Sequence, residues 1–255
     1  MEKTIKLLKS EGITGAQDLI FMTRYASLTD DKALMRLVGD SMQQLVMPKS
    51  PWLTYALLEY FEATGEEFAK ISAEYLLSGE ENAMVRNKAA RVLKKEEYLT
   101  KSDDPLALLE LYRATYNEEY LNKAAAMGKY IRDDFAKFFN PSDVYDFIEP
   151  SSNSCIAVLF DVIARLTQEE KWLEARERQN HLIKLLAEKY PTKVSFGLCA
   201  LLSDEFGYTT AVVEGEAPES LFGIYSPVTE IMVKPSDGDT KVYIKKDGKL
   251  EQIMF

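Results

Sequence analysis

A mainly helical fold is what this sequence predicts: a six-hairpin-like α/α toroid, short of a complete ring, with a small C-terminal β-sheet. Three observations lead there. Four stretches repeat one helix–turn–helix pattern, the first helix of each pair is more apolar than the second, and roughly the last 45 residues alternate like strands.

The repeats centre on "ASLTDD", "EATGEE", "RATYNEE" and "ARLTQEE", whose threonines are Thr29, Thr64, Thr115 and Thr167, spaced 35, 51 and 52 residues apart. Each Thr with its following acids reads as the N-cap and acidic first turn of the second helix. A tetratricopeptide array would keep a period near 34 residues, so the long, unequal connections point to a toroid. Ala157–Leu166 is apolar all round except Asp161 and Arg165, as an inner helix is, whereas Glu169–Lys189 carries charge on one side. Residues 79–103 are the weak station: Glu81–Leu93 makes one helix, and "KKEEYLTKSDD" is too short for a hairpin. About ten helices are expected before Gly207, fewer than six full hairpins need. The helical part is assigned 1–207 and a β-rich subdomain 208–255. In the latter "TTAVVEG" and "TEIMVKP" read as strands and "KVYIKKDGKLEQIMF" as a hairpin turning at Asp247-Gly248.

Composition narrows function. Hydrophobic residues at 46% and charged residues at 28% fit a packed globular chain. A net charge of −10 with no Lys/Arg block argues against a nucleic-acid partner, and none is expected. The start, "MEKTIKLLKSEG", lacks a signal peptide's apolar core, and the longest apolar run, Cys155–Phe160, is far short of a span. No membrane partner and a cytoplasmic location are expected. Cys155 and Cys199 read as reduced core thiols, a disulfide or redox pair being the alternative.

Two stretches carry a resemblance. "DDPLALLELYRATYNEEYL" followed by "DFIEPSSNS" resembles the C-terminal part of bacterial thioredoxin-domain-containing proteins, an α/α toroid similar to N-acylglucosamine 2-epimerase and the six-hairpin glycosidases. In that family an acid precedes the "LYEAT" helix, and a D-x-x-x-P-S-G-N-S motif precedes a later inner helix. Asp104 stands at the first acid; Asp146, Pro150, Ser151, Asn153 and Ser154 match the motif, with Ser152 in place of its glycine. The resemblance runs over residues 15 to 230 and has clear departures. There is no thioredoxin domain and no Cys-x-x-Cys, a Trp-Asn-Gly step survives only as Arg86-Asn87-Lys88, and a His-containing segment is missing before "MPKSPWLTYA". It implies a shrunken relative.

The chemistry that remains is sparse. The lone His181 cannot supply an epimerase's histidine pair, and no second residue supports a histidine-based zinc site or a Ser-His-Asp triad. No phosphate loop is present, and "SDGDTK" at 236–241 lacks the later ligands of a calcium loop, so no metal and no cofactor are expected. Asp104 and Asp146 are the candidate catalytic carboxylates of a glycan-processing hydrolase; against that, Asp104 also suits a cap before Pro105 and Asp146 a loop hydrogen bond. Arg86, Asn87, Ser151, Asn153, Ser154, Trp52 and Tyr55 are the candidate ligand-binding residues, Ser151 or Ser152 also suiting the cap of the next helix. The reading that follows is a non-catalytic module binding a carbohydrate-like small molecule or a protein, with the hydrolase as the alternative and a peptide-binding helical repeat as a weaker third.

Overall fold

A computed structural model describes the chain apart from residues 45–48, 139–142, 216–224, 235, 237–238, 247–248 and 254–255. The fold is mainly helical with a small four-stranded mixed sheet. Four hairpins form as the repeats require: α2 (Ala16–Thr29) with α3 (Lys32–Gln44), α4 (Pro51–Thr64) with α5 (Glu67–Leu77), α7 (Pro105–Thr115) with α8 (Glu118–Asp133), and α10 (Ser152–Thr167) with α11 (Glu170–Lys189). Helices α1 (Glu2–Glu11), α6 (Ala83–Leu93), the four-residue α9 (Phe135–Phe138) and α12 (Ser195–Phe206) complete a helical part fuller than the ten or so helices expected.

The repeated threonine has a different role from the one expected. It ends the first helix instead of capping the second. Thr29, Thr64, Thr115 and Thr167 donate their hydroxyls to the carbonyls of Tyr25, Tyr60, Leu111 and Ile163, four residues back, at 2.7–2.9 Å. In the last three hairpins the same hydroxyl accepts the amide two residues on, from Glu66, Asn117 and Glu169. The next residue turns the chain in the left-handed region: Asp30, Gly65, Tyr116 and Gln168, with φ of 50°, 73°, 53° and 53°. Only Gly65 adopts that conformation without steric cost; the Thr bridge spans the turns at Tyr116 and Gln168, whereas at Asp30 the Asp31 amide bonds the Ala26 carbonyl.

The helices α2, α4, α6, α7, α10 and α12 pack in that succession, and α12 returns against α2. Their apolar faces make the core, with Phe21, Leu58, Tyr112, Leu159 and Phe196 almost fully buried. Station 79–103 is single-helical, as expected, because "KKEEYLT" forms only a turn of 310 helix, Glu96–Tyr98. Gly207 ends α12 with a φ of 75°.

Strands β1 (Thr209–Glu214), β2 (Thr229–Lys234), β3 (Lys241–Lys246) and β4 (Lys249–Ile253) lie in the order β2-β1-β3-β4. β1 and β2 are parallel and the other pairs antiparallel. The turn expected at Asp247-Gly248 lies outside the described residues, although β3 and β4 pair as that hairpin requires. Helices α7 and α10 meet only lightly, and β2 reaches both: the Tyr112 hydroxyl donates to the Ile231 carbonyl, and Glu230 joins Arg113 to Arg165. No helix among the described residues is long and apolar enough to cross a membrane.

Candidate functional site

The later turns of these helices carry charges on otherwise apolar faces. On α4, Tyr55, Glu59 and Glu62 follow one another at spacings of four and three residues, so they share one face. α6 supplies Lys88 and Arg91, α7 Glu110 and Arg113, and α10 Asp161 and Arg165 by the same spacing. Together with Arg24 of α2 and Glu230 of β2 they form one chain of alternating charge.

From Arg24 the bonds run in order. Arg24 Nε lies 2.9 Å from Glu59 Oε1, and Lys88 Nζ lies 2.6 Å from Glu59 Oε2 and 3.3 Å from Glu62 Oε2. Arg91 grips both oxygens of Glu62 and sits 3.8 Å from Glu110 Oε2. Arg113 then bridges Glu110 Oε1 at 2.8 Å to Glu230 at 2.5 and 3.1 Å. Arg165 joins Glu230 at 2.9 Å to Asp161 at 3.0 Å. Two phenols complete it: Tyr55 donates to Glu110 at 3.0 Å and Tyr225 to Glu59 at 2.7 Å. Lys88 also lies 4.5 Å from the centre of the Tyr55 ring.

Burial alone would raise every carboxyl here. The cations prevail: Arg24 and Lys88 hold Glu59 well below the usual carboxylate range, Arg91 and Lys88 lower Glu62, and Arg113 and Arg165 lower Glu230. Glu110, facing Arg113, Lys88 and Arg91, falls to about 2. Burial acts to lower Lys88 and Arg91, and their carboxylate partners instead raise both. Asp161 is the exception: burial outweighs Arg165 and raises it.

This network walls a cavity of about 810 Å³ whose apolar lining includes Met84, Leu109, Val158, Val162 and Phe196. Three buried atoms of the network, Arg91 Nε, Glu110 Oε2 and Arg165 Nη1, have no hydrogen-bond partner among the described residues.

Most residues singled out from sequence lie elsewhere, where the helices begin. Asp104 is exposed and caps α7, its Oδ1 accepting the Ala107 amide at 2.8 Å. Asp146 is buried and spends both oxygens on backbone: Oδ1 accepts the Ser151 amide and Oδ2 the Phe196 amide, each at 2.8 Å. Burial pushes its pKa up to about 6, while these amides and the hydroxyls of Ser154 and Ser151 pull it down. Ser151, not Ser152, caps α10 by accepting the Ser154 amide at 3.2 Å, and the two hydroxyls bond at 3.1 Å. Asn153 is buried and donates to the Asp143 carbonyl at 2.9 Å.

Arg86 and Asn87 are both hydrogen-bonded to protein groups. Arg86 donates to Thr100 Oγ1 and to the Glu80 and Glu97 carbonyls. Asn87, fully buried, takes the Thr100 amide and donates to the Thr100 and Ala107 carbonyls. Together they lash down the extended segment that stands where a second helix is missing. Trp52 packs edge-on against Phe196, ring centres 4.8 Å apart. Of the nine residues named, only Tyr55 lines the charged cavity.

A second cavity of about 540 Å³ opens at this end between Trp52, Met84, Leu106, Ile131, Cys155 and Leu159, with Glu81 and Asp104 on its rim. His181 is exposed on α11. Cys155 and Cys199 are free thiols; burial raises both, Cys199 up to about 12. Among the described residues, no group of three or more His, Cys, Asp or Glu is placed to hold a metal ion.

The sequence did signal the charged network. Lone charges at three- or four-residue spacing inside apolar helices, as in "EYFEAT", "ELYRAT" and "DVIARL", oppose the binary pattern and mark a function or a partner. Asp161 and Arg165 interrupt the apolar Ala157–Leu166 in this way, and their counterparts on α4, α6 and α7 join them only once the helices pack. No protein-family model matches the chain, nor does any curated protein or solved structure.

Proposed function

We propose that the chain is a non-catalytic α/α toroid, a shrunken relative of the toroid part of the thioredoxin-domain-containing proteins, and that it binds a carbohydrate-like small molecule in the charged cavity. The succession of α2, α4, α6, α7, α10 and α12, with α12 against α2, supports the toroid. A single observation carries the functional reading: the cavity has the size of a small-molecule site, yet Glu59, Glu62, Glu110 and Glu230 on its wall are all held below the normal carboxylate range. General acid–base work needs a group poised near the working pH. Fixed, fully ionised donors and acceptors suit recognition. A buried ion-pair network is also a poor device for stability, because desolvation cancels most of its attraction, so its presence here favours a binding role.

The hydrolase alternative, with Asp104 and Asp146 as its carboxylate pair, draws no support from this geometry. One carboxylate caps a helix, and the other accepts two backbone amides.

The test is a thermal-shift screen of the full chain against neutral sugars, uronides and other small polar metabolites. A true ligand raises the melting temperature in proportion to the logarithm of its concentration, about 2.7 kcal/mol at a hundredfold excess over Kd. Tyr55→Phe and Tyr225→Phe, which remove hydroxyls but keep the charges, should weaken it. Failure of every compound, with folded protein confirmed, would sink the cavity-binding reading.

A further inference from the structure

We infer that the end of the helical body where α6, α7, α10 and α12 begin is a docking surface for a second copy of this chain. Phe147 and Ile148 of one copy seat in the 540 Å³ cavity of the other. The inference does not depend on what fills the charged cavity.

The projecting half is the loop before α10. Phe147 is 64% and Ile148 70% exposed, among the most exposed large apolar side chains of the described residues. The loop is firmly anchored. Asp146 donates its amide to the Lys193 carbonyl at 2.6 Å and takes the Ser151 and Phe196 amides on its carboxylate. Gln17 donates to the Ile148 carbonyl at 3.1 Å. Tyr145 meets Phe147 and Tyr190 edge-on, with ring centres 5.8 and 4.9 Å apart. An apolar knob held this way has little ordering entropy left to lose on docking, and large side chains so presented serve as binding anchors.

The receiving half lies on the same end. Residues from the first two turns of α4, α6, α7 and α10 wall the cavity with Trp52, Met84, Leu106 and Ile156, and it reaches the surface between exposed Glu81 and Asp104. Charge decides the occupant. The knob is flanked by Lys193, 5.8 Å from the Phe147 ring, and Lys189, 5.1 Å from the Tyr190 ring, with exposed Glu149 beyond Ile148. Among the described residues, the cavity rim carries only the carboxylates of Glu81 and Asp104 as charged groups. Two copies, each with a net charge of −10, repel in general and attract where these patches meet. Because knob and cavity share one end, a two-fold axis lying in that surface midway between them seats both knobs at once. That is the self-complementary arrangement of a two-fold dimer.

Sedimentation velocity of the full chain, over a micromolar to near-millimolar series, tests this. The expected result is a concentration-dependent dimer that becomes monomeric on Phe147→Asp with Ile148→Asp, with the melting temperature unchanged at concentrations where the parent chain is also monomeric, because both side chains are exposed. Lys193→Glu alone should weaken dimerisation about tenfold, and adding Glu81→Lys to the same chain should restore it, since restoring a charge pair recovers its coupling. A monomer throughout the series, or a dimer indifferent to the paired aspartates, overturns the inference. So does a monomer that binds phosphatidylserine vesicles through Phe147 and Ile148, which would make the loop a membrane contact.

Discussion

The two ends of the helical body treat buried carboxylates in opposite ways. Where the helices finish, Glu59, Glu62, Glu110 and Glu230 are interleaved with Lys88 and four arginines, which hold all four carboxyls below their ordinary value. Where the helices start, Asp146 has backbone amides and hydroxyls for company and is pushed up to about 6. Burial is comparable at the two ends; what differs is whether a full positive charge or only amide dipoles answers the carboxylate. A dipole fixes geometry, and a cation fixes protonation state. One end therefore works as a structural clamp, whereas the other holds a permanent charge pattern facing a cavity.

The sharpest way to break this contrast is Lys88→Met. Lys88 is 2% exposed, and its loss leaves Glu59 and Glu62 short of a buried partner. Removing one member of a buried pair costs about 3–5 kcal/mol, measurable by urea denaturation. Lys88→Met with Glu59→Gln should recover part of that loss. A single substitution costing less than about 1 kcal/mol would mean that water already screens the network.

Next in size is the pH response, whose sign differs between the ends. Asp146 holds its proton more tightly folded than unfolded, so the folded state binds more protons between about pH 4 and 6. Its contribution is greatest below that window and is lost as pH rises through about 6, a change of about 3 kcal/mol. The glutamates of the cavity act in reverse: their stabilisation is present above about pH 4.5 and is lost as pH falls toward the value of about 2 for Glu110. Asp146→Asn should therefore flatten the stability profile between pH 4 and 6 and leave the acid limb in place. An unchanged slope in that window would place the Asp146 proton elsewhere.

The smallest effect tests the dipole end alone. Ser151→Ala removes the cap of α10 and should cost about 1 kcal/mol, independent of salt. The Lys88 effect, by comparison, should respond to salt only weakly, because buried pairs are poorly screened.

How much could be read in advance follows the range of each interaction. Apolar spacing placed the four hairpins, and alternation placed the strands, because both depend on neighbours within one or two turns. The cap before α10 was legible for the same reason. The role of the repeated threonine was misassigned because one hydroxyl serves a carbonyl behind it and an amide ahead of it, so both helices claim it. Arg86, Asn87 and Asp146 carried a motif resemblance, and local spacing could not show that their partners are Thr100, Ala107 and Phe196.

The sequence by itself determined a helical-hairpin chain with a strand-rich tail, an acidic surface, and charges misplaced in apolar helices. Tertiary structure alone decided that those charges meet. Arg113 and Glu230 lie 117 residues apart and Arg24 and Glu59 lie 35 apart. An ion pair across such separations leaves no periodic trace. It exists only because the packed helices bring their later turns to one cavity and β2 joins α7 to α10.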